Sequence, residues 1–156
     1  MIARYGKPPL AGQAYRRRPG AYAILWRDGR LLLTHQQRPV PEFQLPGGGI
    51  DAPEHALAAL HREVAEETGW IIGQPRYLTA YRRFCFMPDY DIYAEKRCQI
   101  WLARPIRRLS DPTEPGHSAH WMTPRQALAA LQDPGSRAVL RAFLAGRQPP
   151  GSSRTT

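Results

Sequence analysis

The stretch GGIDAPEHALAALHREVAEETGW, Gly48 to Trp70, decides the reading of this 156-residue chain. From about Pro53 to Thr68 the apolar residues Leu57, Leu60 and Val64 recur at steps of three and four, the spacing of one face of an α-helix. Asp51 stands where a cap is expected, and Gly69 stands where a helix is expected to stop. The same helix carries Glu63, Glu66 and Glu67, and at about 100° per residue their spacing turns all three carboxylates toward one face. Like charges at these spacings cost about 0.2–0.5 kcal/mol per pair. A divalent cation held among them reverses the sign of that cost. Taken alone, three glutamates on a helix also fit a solvated acidic face.

Oxygen ligands of this kind suit magnesium or manganese. Magnesium is commonly held by one or two carboxylates, with water and substrate phosphates completing its octahedron, so the expected site is open. A metal between carboxylates and a diphosphate neutralises phosphate charge, orients the scissile bond and lowers the pKa of a bound water. Those are the requirements of diphosphate hydrolysis.

Gly48 is followed after five residues by Glu54, and after seven more by Arg62-Glu63-Val64-Ala65-Glu66-Glu67-Thr68-Gly69-Trp70. This spacing resembles the Nudix box, GxxxxxE(x7)REUxEExGU with U a bulky apolar residue, at every fixed position. Trp70 stands where an aliphatic residue is usual, a difference of packing rather than chemistry. Leu45-Pro46-Gly47-Gly48-Gly49 matches the usual run into the box.

The resemblance implies an α/β fold, an α/β/α sandwich with a mixed β-sheet, in which the box forms a loop–helix–loop. It implies a pyrophosphohydrolase, dependent on Mg2+ or Mn2+, that cleaves the diphosphate of a nucleotide-like substrate. The metal ligands carried over are Glu63, Glu66, Glu67 and the carbonyl of Gly48, while Glu54 and Arg62 hold the loop and helix carboxylates in place. Members of the family differ in the general base. Glu63 and Glu66 are candidates, and so is Glu114 in the loop Thr113-Glu114-Pro115-Gly116-His117, where relatives place a further acidic residue. His117 and His120 flank that position. A homodimer carries over by analogy alone.

Outward from the box, Ala21 to Trp26 and Arg30 to Gln36 read as strands joined by the hairpin signal Asp28-Gly29. Phe43-Gln44-Leu45 is a short extended piece, and Pro46 to Gly49 reads as a functional loop. Strands are expected at Arg76 to Phe86 and Arg97 to Ala103, with Met87 to Lys96 as the loop between them, and a short strand at His120 to Met122. Thr123-Pro124 opens a helix through Leu131, and Pro134 to Leu144 offers another. The domain is thus expected over residues 20–145, between a flexible arm at 1–19 and a flexible tail at 146–156.

Lys plus Arg outnumber Asp plus Glu by 22 to 13, giving a formal charge of +9 that draws polyanions. Nearly all of it is arginine, which equally reflects coding bias. Arg38, Arg82, Arg83 and Arg97 are candidates for substrate phosphates, and Phe43, Phe84, Phe86 and Tyr90 for stacking a base. The charge and the run Arg16 to Arg18 suggest RNA 5′ ends as an alternative substrate, and a nucleotide-sensing module without catalysis is the other alternative. Cys85 and Cys98 read as free thiols on strands. With neither a signal-like stretch nor a membrane-length apolar run, the expected setting is cytoplasmic, without membrane contact.

Overall fold

A computed structural model describes residues 2–146; Met1 and residues 147–156, which include most of the expected tail, lie outside the described residues. The elements follow in chain order: β1 (Ala3–Arg4), β2 (Arg16–Arg27), β3 (Arg30–Gln36), β4 (Glu42–Gln44), β5 (Gly47–Gly49), α1 (Ala56–Thr68), β6 (Trp70–Met87), β7 (Ile92–Arg108), β8 (His117–Met122), α2 (Pro124–Ala130) and α3 (Pro134–Leu144).

β2 organises the sheet. Ala21, Ala23 and Leu25 face one side and Tyr22, Ile24 and Trp26 the other, and both sides are covered by apolar packing. On one side Leu60 and Val64 of α1 pack on Ala21, Ala23, Leu25, Leu32, Ile72 and Ala103. On the other, Ala127 of α2, Leu131, and Val139 and Leu140 of α3 pack on Ile24, Leu31, Leu33, Leu78 and Ile100. The result is the expected α/β/α sandwich. β2 runs parallel to β7, which pairs antiparallel with β6, so the sheet is mixed, in the order β1-β6-β7-β2-β3-β4 with β5 beside β2 and β8 beside β3.

Several boundaries differ from the sequence reading. The expected arm contributes two strands: Ala3–Arg4 pairs with β6, and β2 begins at Arg16. The glycine loop is strand β5, paired to residues 20–22. The loop expected at Met87 to Lys96 shrinks to a tip at residues 88–91, because Tyr93, Ala94, Glu95 and Lys96 find backbone partners on both β6 and, from Ala94 on, β2. Pairing across the sheet overrides local composition there.

α1 starts at Ala56 rather than Pro53. Its cap is His55, without a side-chain hydrogen bond, and Asp51 instead accepts the Glu54 N–H through its carbonyl. Leu57, counted on the apolar face, is 40% exposed. At the far end Gly69 closes α1 in the left-handed conformation as expected, with its N–H on the Ala65 carbonyl. Thr123 caps α2 in a reciprocal box with Gln126. Cys85 and Cys98 are free and lie on β6 and β7. No helix among the described residues is long and apolar enough to cross a membrane.

Candidate active site

Arg62 is the hub of the box. Its Nε and Nη2 donate to the two carboxylate oxygens of Glu54, each at 2.8 Å, a bidentate pair. Its Nη1 reaches Glu63 Oε1 at 3.0 Å and Glu66 Oε2 at 3.4 Å. The hydrogen bonds from Arg62 hold the Glu54 carboxyl down to about 2. Glu54 and Arg62 thus brace the helix against its loop, in the places the resemblance assigned them.

The three helix carboxylates do not share one environment. Glu63 and Glu66 flank the Arg62 guanidinium, whereas Glu67, only 6% exposed, turns inward. Its Oε1 accepts the Gly47 N–H at 3.0 Å and its Oε2 lies 3.7 Å from His117 Nδ1. Burial pushes the Glu67 carboxyl well up, and Glu63, Glu114 and Glu66 add to that rise against the Gly47 hydrogen bond. Burial also raises Glu63, with Glu66 and Glu114 adding to it against Arg62. Gly48 has no side chain for a reason visible here: a Cβ would lie 2.4 Å from the Glu63 carboxyl carbon.

Among the described residues no three His, Cys, Asp or Glu side chains converge into a ready metal cage. The donor set still fits a divalent cation. Two carboxylates, Glu63 and Glu67, crowded by like charge and pushed toward protonation, are hard oxygen donors, and an open magnesium site needs no more than two.

The loop that carries Glu114 is tied to the box. The N–H groups of Thr113 and Glu114 both donate to the Glu66 carbonyl at 2.8 Å, and the Gln37 N–H donates to the Gly116 carbonyl at 3.0 Å. Glu114 is exposed, yet near enough for its charge to act on Glu63, Glu67 and His117. His117 lies with Nδ1 at 2.9 Å from the buried Thr34 hydroxyl, and burial lowers its pKa. His120 turns elsewhere, to Ser118 and the rings of His35 and Phe43.

The four candidate arginines divide. Arg38 lines a small cleft with Gln36, Gln37 and His117. Arg83 and Lys96 are register partners, and Lys96 lines the cleft that also holds Glu63. Arg82 and Arg97 are register partners of each other, one step along, so they point to the opposite side of the sheet, where both approach Glu95. Both are expected to contact substrate phosphate; here Glu95 engages them and neither lines the cleft. Phe84 and Phe86 share that far side, packed with Tyr15 and Tyr93, while Phe43 sits among His35 and His120. Of the aromatic candidates, Tyr90 lines the cleft.

Sequence reasoning missed three residues of that cleft. Its volume is about 140 Å³, and Arg18, Tyr22 and Lys96 line it together with Glu63, Asp51 and Tyr90. The Lys96 ammonium lies 5.7 Å from the Tyr22 ring centroid, and the Arg18 guanidinium 4.8 Å from that of Tyr90. A methyl at Gly20 would come within 2.8 Å of the Tyr22 ring and 3.1 Å of the Gly48 carbonyl oxygen, so ring and carbonyl flank one bare backbone position. By composition Arg18 falls in the expected arm and Lys96 in the expected loop; the register between β2 and β7 is the signal that joins them.

Comparison with known proteins agrees with this architecture. The profile of the NUDIX domain matches residues 16–143. The chain is 30% identical over 123 residues to the CMP-5'-(N-acetyl-N-hydroxy-3-aminopropyl)phosphonate hydrolase of Streptomyces rubellomurinus, covering 74% of this chain and 57% of that one. It is 44% identical over 55 residues to the RNA pyrophosphohydrolase of Caulobacter vibrioides, covering 33% and 32%. The chain spans about half the length, or less, of the curated relatives it matches. The crystal structure of a MutT NUDIX hydrolase from Burkholderia pseudomallei superposes with a TM-score of 0.63 at 26% identity, covering 81% of this chain and 97% of that one.

Proposed function

Because the chain belongs to the NUDIX domain family, we propose that it hydrolyses the diphosphate linkage of a nucleoside diphosphate joined to another moiety, by attack of water on phosphorus. The observation that carries this reading is the pair of crowded carboxylates, Glu63 and Glu67, braced at the cleft by Arg62 and the Gly47 N–H. The names of the two relatives share a nucleotide or nucleic acid and differ in the rest, which supports the class rather than one member of it.

Members of this family generally need a divalent metal, and magnesium or manganese is the proposed ion here, held by Glu63, Glu66, Glu67 and the Gly48 carbonyl. When bound, it neutralises phosphate charge and lowers the pKa of a coordinated water. The chain's own groups do the rest. Arg62 fixes the direction of Glu63 and Glu66. His117, disfavoured as a cation by burial, stands 3.7 Å from Glu67 Oε2 and helps to fix that carboxyl. The water oxygen bonds to phosphorus as the bridging oxygen departs, and the water's proton passes to a carboxylate, for which Glu114 is the proposed acceptor with Glu63 and Glu66 as alternatives on the helix. Arg38 and Arg83 are the proposed contacts to substrate phosphate. Retention of every box carboxylate argues against a purely sensing role, and a cytoplasmic setting belongs to the same proposal.

The test is a panel of nucleoside triphosphates, nucleotide sugars, dinucleoside polyphosphates and 5′-triphosphorylated RNA, each with magnesium or manganese. Release of a nucleoside monophosphate or phosphate products from at least one class, abolished by EDTA, is expected. Binding of nucleotides without turnover in any class overturns hydrolysis in favour of sensing.

A further inference from the structure

The cleft beside the box runs from Glu63 to two cations that the protein leaves without an acidic partner. Arg18 on β2 and Lys96 on β7 are register partners in the parallel pairing, so their side chains rise from the same face of neighbouring strands. Among the described residues neither has a carboxylate within ion-pair distance, although Arg17, Arg82 and Arg97 on the other face share Glu95, and Arg83 reaches Asp133 at 3.5 Å. Aromatic faces take the place of anions: Arg18 lies over Tyr90 and Lys96 over Tyr22. Those rings hold the cations in position without neutralising them.

Location ties this pair to the box. Tyr22 flanks bare Gly20 on the side shared with the Gly48 carbonyl, and Glu63 lines the same cleft as both cations. Its volume of about 140 Å³ is well below the roughly 300 Å³ at which pockets begin to enclose a whole drug-sized ligand, so it suits a group rather than a nucleoside.

We propose that Arg18 and Lys96 form an anion subsite that takes the free phosphate end of the substrate, the end distal to the nucleoside. The proposal rests on the diphosphate-cleaving reading of the box and narrows it to substrates that end in phosphate. A neutral sugar in the same place would leave two half-buried cations without a counter-charge, which is costly.

Inorganic pyrophosphate is the probe, titrated calorimetrically against the full chain without metal, so that the result is independent of turnover. Saturable binding is expected, weakened at least tenfold by Lys96→Met and by Arg18→Gln, largely restored in Lys96→Arg, and unchanged within twofold by Arg17→Gln, the next residue on the opposite face. Melting curves establish that each variant is folded. Absence of saturable binding by the unaltered protein overturns the subsite, and so does equal weakening by Arg17→Gln. If the nucleotide panel shows no turnover while pyrophosphate binding still tracks Arg18 and Lys96, the hydrolytic reading falls and the subsite stands. If turnover is found, Lys96→Met raises KM for a nucleoside triphosphate at least tenfold and does not raise any measurable KM for a nucleotide sugar; an equal rise for both substrates overturns the assignment to the phosphate end.

Discussion

The two faces of the β2–β7–β6 sheet carry similar numbers of cations but partner them differently. On one, Arg17, Arg82 and Arg97 gather around Glu95, at 4.0, 3.8 and 3.4 Å, beside the rings of Tyr15, Phe84 and Tyr93. On the other, one residue along each strand, Arg18 and Lys96 stand against tyrosine rings and line a cleft at the strand edge that Glu63 also reaches. Glu95 answers the charges gathered on the first face and Asp133 that of Arg83 on the second, which leaves Arg18 and Lys96 without a carboxylate within ion-pair distance. A net charge of +9 therefore says little by itself; the strand register decides which part of it is available.

The sharpest way to break this contrast is to neutralise the cleft. Glu67→Gln is expected to lower kcat in the metal-supplied reaction on the order of 100-fold or more, since loss of groups that merely support a metal already costs 10–100-fold. Its thermal midpoint should not fall, because the amide oxygen can still accept the Gly47 N–H and a buried, crowded charge is gone. A lost midpoint with intact turnover would place Glu67 in the scaffold instead.

A smaller effect of opposite kind is expected at Glu95. Glu95→Gln leaves three guanidinium groups around a neutral amide and should lower stability by about 1 kcal/mol, the upper range for partly exposed pairs, with kcat/KM unchanged within twofold. Denaturant titration alongside the hydrolytic assay separates the two readouts; a loss of activity exceeding the loss of stability would join the two faces functionally.

The smallest expected change concerns acid. Glu54 is held down to about 2 from a usual 4.5, so its contribution to stability is fully present above pH 4.5 and is lost as pH falls toward 2. Thermal midpoints measured across that window should decline less steeply in Glu54→Gln than in the unaltered chain. Parallel curves would mean that Arg62 holds Glu54 equally in the unfolded ensemble.

The box and its helix were legible because their information is local: glutamate spacing, Gly69 at the helix end, and the Asp28-Gly29 turn lie within a few residues of what they determine. The alternation of Arg82 and Arg83 was equally readable as a pattern. Which of the two shares a face with Lys96 was not, since that depends on the pairing of β6 with β7. The pairing of β2 with β7 likewise concealed Arg18 and Lys96, and it stretched β7 into residues whose composition suits a loop. Glu67 could be placed on the helix but not turned inward, because its partners, Gly47 and His117, come from other elements.

The two N–H groups that converge on the Glu66 carbonyl bind the timing of two segments together. The last turn of α1 leaves carbonyls without helical partners, and the Glu114 loop supplies Thr113 and Glu114 as their donors. Detachment of that loop therefore uncovers the end of the helix that carries the carboxylates. The amide hydrogens of Thr113 and Glu114 should then exchange with solvent only as often as the loop detaches from the helix end, making their exchange rate a direct clock for opening at the box.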